Sequence, residues 1–471
     1  MTVGIAAWAT HLPLYRLERA TIAAAIGGRG GRGSRAVAGY DQDTTSMGVE
    51  AARGLDPAAP SPELLVFATT DPGYADRTNA AAVHAALGLD PAVPAYDSVG
   101  SVRSALGAFR AAADSAAAGR PALAVLSDVR WGLAGSGDER DGGDAAAAFV
   151  LADSGPLAAE LLAHRSTTGE FLDRWRKPGE SFSRVWEERF GETAYVPLAE
   201  AALADGLKEA GLTPTDVDHL IVTGLHARAG RTVLKRAGAR PDALVDDLVG
   251  SIGNCGAAHP GVLLASVLEQ AAPGAVVVLL TLADGADCIV LRVADGVAER
   301  RPAVSVAAQL PGRSISYQDA LTWRGMLRRE PPRRPDPDRP AAPPALRRVG
   351  WKFGFVGSAC VACGTRHLPP ERVCFNCKAT DQMTPVSLAG ESGTVATFSI
   401  DHLAYSVAPP VVLVVVDLDG GGRLQCELTD VDADTVAVGN RVELTFRRLY
   451  TTVDGVHDYF WKARPVRAME G

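Results

Sequence analysis

An α/β front part followed by a small all-β module is the fold class this sequence predicts, and three observations carry it. From the N-terminus to about Ser305, short β-rich runs alternate with Ala-rich helical stretches. A Pro- and Arg-rich stretch, RREPPRRPDPDRPAAPPALRR from Arg328 to Arg348, then interrupts that texture. Beyond Gly350 the runs are β-branched, short and separated by turn signals.

Taken in order, ELLVFAT (Glu63 to Thr69), ALAVLSD (Ala122 to Asp128) and AAAAFVLAD (Ala145 to Asp153) are strands, and AYDSVGSVRSALGAFRAA (Ala95 to Ala112) reads as a short strand entering a helix. RTNAAAVHAALGL (Arg77 to Leu89) and SALGAFRAAADSAAAG (Ser104 to Gly119) are the helices among them. A second pass of similar order begins near Tyr195. It has a helix over Val196 to Leu212, a strand over Val217 to Leu225 and helices over Gly230 to Gly238 and Gly261 to Ala271. Two strands joined by the tight turn ADGAD then fill Ala275 to Val293. The repeated order suggests an old duplication, with halves at about 1–160 and 195–300. Between them, Ser166 to Glu192 is aromatic and charged and reads as an insertion. The sequence thus divides into 1–305, a helix and extended linker over 306–349, a cysteine-rich piece over 350–380 and a β module over 381–471.

At 471 residues, two or three domains are expected. Hydrophobic residues at 47% and charged ones at 22% are those of a soluble globular chain. A net charge of −8 gives no footprint for nucleic acid, since the Lys/Arg runs are confined to the linker. No apolar run reaches the roughly 18 to 20 residues of a membrane span, and the N-terminus lacks a basic segment before its apolar stretch. A cytoplasmic, membrane-free protein is expected.

Four of the seven cysteines fall between Cys360 and Cys377. In CVACGTRHLPPERVCFNC the pairs Cys360/Cys363 and Cys374/Cys377 each have two intervening residues, the spacing of two thiolate knuckles around a tetrahedral zinc. A closed shell of four thiolates has no position for substrate, so this zinc is structural. His367, inside the gap, is expected at the surface.

The stretches GSACVACGTRHLPPERVCFNC, GTVATFSI, APPVVLVVVDLDGGGRLQCELTD and VGNRVELTF, preceded by the helix SISYQDALTWRG, resemble the zinc-ribbon plus OB-fold proteins that accompany thiolases and HMG-CoA synthases. That resemblance implies a rubredoxin-like ribbon, an OB fold and a role as partner or scaffold of a thiolase-fold enzyme. Residues 1 to about 300 resemble the thiolase superfamily, and most closely prokaryotic HMG-CoA synthases of the ketoacyl synthase III type. The resemblance lies in GIAAWATHLPLYRLERATIAAA, AGYDQDTTSMGVEAAR, GLHARAGRTVLKRAG and SIGNCGAAHPGVLLASVLEQ. It implies a duplicated αβαβα fold, acyl-CoA or acyl-carrier-bound thioester substrates, a homodimer and a possible thiolase-type partner.

In that superfamily a cysteine at the start of a buried helix attacks the thioester, and His with Asn polarises the carbonyl oxygen. Carried over by motif, GLHARAGR supplies His226 and SIGNCG supplies Asn254, together an oxyanion site. The nucleophile position in YDSVGSV falls on Val102, which can neither ionise nor attack. Ser101 and Ser104 are the neighbouring hydroxyls. The expected general-base Glu is replaced by Thr70, with Asp71 adjacent as a shifted base or a plain turn aspartate. Cys255 is either a relocated nucleophile or a small buried hydrophobe. His259 is either an extra proton donor or a helix-start residue before Pro260. These substitutions predict C–C bond chemistry of Claisen or aldol type through an enolate at His226 and Asn254. A non-catalytic thioester-binding or scaffold subunit, or acyl transfer from a relocated nucleophile, is the alternative.

Overall fold

The computed structural model describes residues 2–27, 31–330, 333–334 and 338–466, which form two compact units. The first holds the chain up to Ala38, Asp43–Ala81 and Pro91–Tyr317; the second holds Gly39–Gln42, Ala82–Asp90 and the chain from Gln318.

The first unit is built on a nine-stranded sheet. Its strands in chain order are β1 (Gly4–His11), β2 (Leu64–Thr69), β3 (Ala95–Val99), β4 (Ala122–Val129), β5 (Asp144–Ala152), β6 (Ala159–Thr168), β7 (His219–Gly224), β8 (Val276–Leu282) and β9 (Gly285–Val293). Across the sheet they run β7-β8-β9-β6-β1-β5-β4-β2-β3. β3, β2 and β4 are parallel neighbours, as are β7 and β8, while β5 and β9 run antiparallel to β4 and β8. Each half therefore repeats a parallel pair followed by an antiparallel return. In the second half the strand matching β3 shrinks to a single parallel bridge, Leu220 to Leu244.

β5, DAAAAFVLA, is buried at every residue, as a strand covered on both faces must be. The same holds where β8 and β9 pair: Val277, Leu279, Ile289 and Leu291 join one core with the buried residues of α5 (His259–Leu268). Val278, Leu280, Cys288 and Val290 join a second core with α3 (Glu188–Ala210) and α4 (Ala227–Arg236). Earlier in the chain come α1 (Thr44–Arg53), closed at its start by a capping box between Asp43 and Ser46, and α2 (Ser104–Ala117). No described helix is long and apolar enough to cross a membrane.

Three local departures have physical causes. β6 lies where the sequence shows only a mixed run, because pairing with β1 on one edge and β9 on the other supplies the order that its composition lacks. α3 begins at Glu188 rather than near Val196 and contains Pro197; burial of Tyr195, Val196 and Ala199 against the sheet outweighs the missing amide. The rest of the expected insertion is a small hairpin of Arg174–Trp175 with Arg184–Val185. The linker is not wholly extended either, since Ala342–Arg347 and Val349–Lys352 are helical, with prolines placed in the first turn where no amide donor is required.

In the second unit β10 (Val356–Cys360), β11 (Arg366–His367) and β12 (Met383–Ser387) make a three-stranded ribbon. A closed five-stranded barrel follows, from β13 (Ser392–Asp401), β14 (Val411–Leu418), β15 (Arg423–Leu428), β16 (Arg441–Thr451) and β17 (His457–Pro465). Closure removes the open edges that β-rich modules otherwise expose.

Candidate active site

His226 lies just past the end of β7 and caps α4, its Nδ1 accepting the Ala229 amide at 3.1 Å. With Nδ1 engaged as acceptor, the ring proton of the neutral imidazole belongs to Nε2. The ring packs beside Tyr195, centroids 5.7 Å apart, and over Gly191, where any Cβ would strike it.

Asn254 follows a glycine at φ 76°, Gly253, whose missing Cβ lets the turn close on Gly142. The Asn254 amide donates to Asp141 O at 2.7 Å and its carbonyl accepts from Gly143 at 2.9 Å. Its side-chain Oδ1 accepts from Gly256 N–H at 3.0 Å and Nδ2 donates to Gly224 O at 2.8 Å. That second bond ties the amide to the end of β7, two residues before His226. Both side chains line one cavity of about 830 Å³, together with His259, Arg130, Arg231 and Trp186.

His259 opens α5 and is buried, its Nδ1 accepting the Cys255 amide at 3.3 Å. Burial draws its pKa down to about 4, against the opposing pull of Asp247, so the imidazole is neutral at physiological pH. Cys255 points elsewhere: it is fully buried with Sγ 3.6 Å from Gly253 O, it is not among the cavity residues, and burial pushes its thiol above the usual range. Neutral and enclosed, it packs as a small apolar side chain.

Val102 is 4% exposed, just before α2, and is likewise outside the cavity lining. Next to it Arg103 is fastened to Asp287 at 2.8 Å and to Asp284 O at 2.7 Å. Ser101 Oγ accepts the Arg103 amide at 3.2 Å, and Ser104 O accepts from Ser98 Oγ at 3.0 Å. Asp71 has a half-exposed carboxylate 3.8 Å from Arg176, away from the cavity lining. The structure thus gathers His226, Asn254 and His259, and leaves Val102, Cys255 and Asp71 outside.

Sequence reasoning missed the charges on the cavity's inner wall. Arg130, from the end of β4, donates to Thr70 Oγ1 at 3.0 Å, and Arg174 from the hairpin grips Asp138 with bonds of 2.5 and 2.9 Å. Burial lowers the Arg130 pKa, with Arg174 and Arg176 adding to it and Asp128 and Asp138 opposing. Asp138 is pushed up by burial but held below the carboxylate range overall by Arg174 and Arg130. The only local hint was an arginine directly after the strand LSDV.

In the second unit the Sγ atoms of Cys360, Cys363, Cys374 and Cys377 lie within 4.8 Å of one another. Cys360 and Cys377 are 3.6 Å apart, Cys363 and Cys374 3.5 Å. Four thiolates at roughly 2.3 Å from one tetrahedral zinc stand roughly 3.8 Å apart, so the cluster fits that ion. His367 is buried rather than at the surface, edge-on to Phe375 at 4.6 Å, and stays outside the ligand set.

A duplicated half-sheet with His and Asn converging where one half ends is the thiolase-like fold, here followed by a zinc ribbon and an OB-like barrel. Family models agree piece by piece: 3-oxoacyl-[acyl-carrier-protein] synthase III C terminal over 207–293, the ChsH2 rubredoxin-like zinc ribbon over 354–383 and the ChsH2 C-terminal OB-fold over 386–447. A hydroxymethylglutaryl-CoA synthase of Aeropyrum pernix is 30% identical over 318 residues, 64% of this chain and 88% of that protein. The chain belongs to the hydroxymethylglutaryl-CoA synthase family. A DUF35 domain-containing scaffold protein of Methanocaldococcus jannaschii is 29% identical over 124 residues, 26% of this chain and 87% of that protein. Among solved structures, an HMG-CoA synthase complexed with CoA superposes with a TM-score of 0.61 at 17% identity, covering 68% of this chain and 89% of that one. A 3-oxoacyl-[acyl-carrier-protein] synthase III from Aquifex aeolicus gives 0.54 at 19% identity, covering 62% and 99%.

Proposed function

We propose that the protein makes or breaks a C–C bond next to an acyl thioester, carried on CoA or an acyl carrier protein, through an enolate rather than an acyl-enzyme. The observation that supports this best is the bond from Asn254 Nδ2 to Gly224 O, which fastens the amide beside His226 in one cavity. Two hydrogen-bonding groups, the His226 imidazole and the remaining Asn254 side-chain N–H, are what a thioester enolate oxygen requires. His259, neutral and in the same cavity, is a third polar group for a second carbonyl. With Val102 at the nucleophile position, routes that generate an enolate by cleavage or decarboxylation are favoured over acyl transfer.

On this reading the chemistry belongs to residues 1–305. Residues 306–349 lead to the ribbon over 350–380, where Cys360, Cys363, Cys374 and Cys377 hold one structural zinc, and to the barrel over 381–471. A homodimer in the cytoplasm, with a thiolase-type partner for the ribbon and barrel, completes the proposal. A second reading, a non-catalytic thioester-binding subunit, is favoured by Val102 and by the likeness to a DUF35 scaffold protein.

The experiment pairs intact-mass analysis after incubation with acetyl-CoA and malonyl-CoA with an assay of malonyl-CoA decarboxylation and of Cα hydrogen–deuterium exchange. No adduct is expected, with turnover lost in His226→Ala and Asn254→Ala by about 100-fold or more. An acyl adduct would overturn the non-covalent route. Turnover unchanged in both variants would overturn the oxyanion assignment, and absence of turnover with retained thioester binding would establish the subunit reading.

A further inference from the structure

The inner wall of the cavity carries a guanidinium whose hydrogen-bonding capacity is mostly unused. Arg130 is about nine-tenths buried, with a side-chain exposure of 9%, yet it lines the cavity. Of its five side-chain N–H donors, one is engaged among the described residues, by Thr70 Oγ1 at 3.0 Å. The nearest carboxylate oxygen with which it pairs, Asp138 Oδ2, stands at 3.8 Å, too far for a hydrogen bond. Asp138 is already committed to Arg174 through both of its oxygens. Asp128 is committed as well, to the hydroxyls of Thr69 and Thr70 and to the amides of Thr70 and Ala257.

The stem of Arg130 passes directly under the Asn254 turn. A Cβ on Gly256 would lie only 2.7 Å from Arg130 Cδ, so the glycine is what lets the arginine approach. The fork is therefore held on the wall beside the enolate site. Thr70, at the position where a general-base carboxylate is expected, hands its hydroxyl to this cation's neighbourhood instead.

A buried guanidinium with open donors beside a reacting centre is complementary to a planar oxyanion, which it binds with two parallel bonds. We propose that Arg130 is a specificity-determining residue that reads a carboxylate on the acyl or acceptor portion, so that the preferred substrate class is a carboxylated acyl thioester rather than a plain alkanoyl one. This rests on the reading of the cavity as a thioester site.

The test is calorimetric titration of the full chain with two matched pairs, glutaryl-CoA against valeryl-CoA and succinyl-CoA against butyryl-CoA. The CoA moiety is common to each pair, so its phosphates cancel and the ratio of Kd values reports the acyl end alone. At least one carboxylated ester is expected to bind about 10-fold or more tighter than its alkyl partner. In Arg130→Met that ratio falls to within about twofold while the alkyl ester binds as before; Arg130→Lys, with charge but no fork, is intermediate. Should the methionine variant not fold, Arg130→Gln, which keeps a donor for Thr70, replaces it. Equal binding within both pairs in the parent, or a ratio that survives the loss of Arg130, would overturn this assignment and leave the thioester reading intact. Failure of every thioester to bind would overturn both.

Discussion

Glu269 shows how a single buried carboxyl makes stability depend on pH in an otherwise apolar part of the chain. It follows the last residue of α5, is 8% exposed, and accepts the Val306 amide at 3.0 and 2.9 Å with its two oxygens. Burial raises its pKa to about 7, against the pull of that amide and of Arg301. A carboxyl whose folded pKa lies above its unfolded value of about 4.5 takes up a proton on folding, so the folded state is favoured fully below pH 4.5. That advantage is lost as the pH rises through 7. Glu269→Gln, which stays neutral and keeps an oxygen for Val306, is therefore expected to stabilise the protein at pH 8 by about 1–2 kcal/mol and to change little at pH 4.5. Urea unfolding at the two pH values measures this, and an equal effect at both would show that burial does not raise the Glu269 pKa in the fold. His259 has the opposite sign: with its folded pKa near 4, stability is complete above about 6.5 and declines as the pH falls toward 4.

At the scale of elements, a metal in the four-cysteine cluster is expected to hold the ribbon more than its own core does. Among its strands, β11 spans only Arg366–His367, and Cys363 and Cys377 are exposed, so little apolar surface holds the knuckles together. Removing zinc with a chelator, or Cys360→Ser, is expected to unfold the ribbon while the nine-stranded sheet of the first unit persists. Hydrogen exchange would show protection lost over residues 356–387 alone; unaltered protection there would mean that the cluster is not a folding element. This site was fully legible in the sequence because its ligands are local pairs at fixed spacing. His226 and Asn254 were named from short motifs, GLHARAGR and SIGNCG, and the structure places both in one cavity lining. Arg130, Gly191 and Gly256 were not: their roles arise from Thr70, His226 and Asp128, far away in the chain. β6 was hidden because an edge pairing, not its own alternation, makes it a strand.

For the whole molecule, the order of the chain and the order of the fold do not coincide. Gly39–Gln42, early in the sequence, belongs to the second unit, and its Asp41 is 1% exposed there. Arg447 of β16 reaches Asp41 Oδ1 at 3.2 Å and Asp430 at 2.6 Å, while Lys462 of β17 lies 3.1 Å from Asp41 Oδ2 and 2.6 Å from Glu427. Both cations have fully buried side chains. Burial alone would raise the Asp41 pKa, but Lys462 and Arg447 hold it below the ordinary range, so it is ionised and its charge is part of the fold. A fragment spanning 318–471 lacks that carboxylate and leaves two buried cations short of a partner, a loss of about 3–5 kcal/mol. A module of this size has little stability in reserve. The fragment is therefore expected to show no cooperative unfolding transition even with zinc present. The related DUF35 scaffold protein sets the contrast, since the 124 matched residues make up 87% of that whole protein. Replacing both cations by apolar residues of similar size, Arg447→Met with Lys462→Met, removes the charges that Asp41 neutralises, while Asp430 and Glu427 lose their partners in turn. In the full chain, Asp41→Asn should then destabilise the second unit far more in the parent than in the Met/Met background. Equal destabilisation in the two backgrounds, or a parent fragment that unfolds as cooperatively as the intact chain, would show that Asp41 is dispensable.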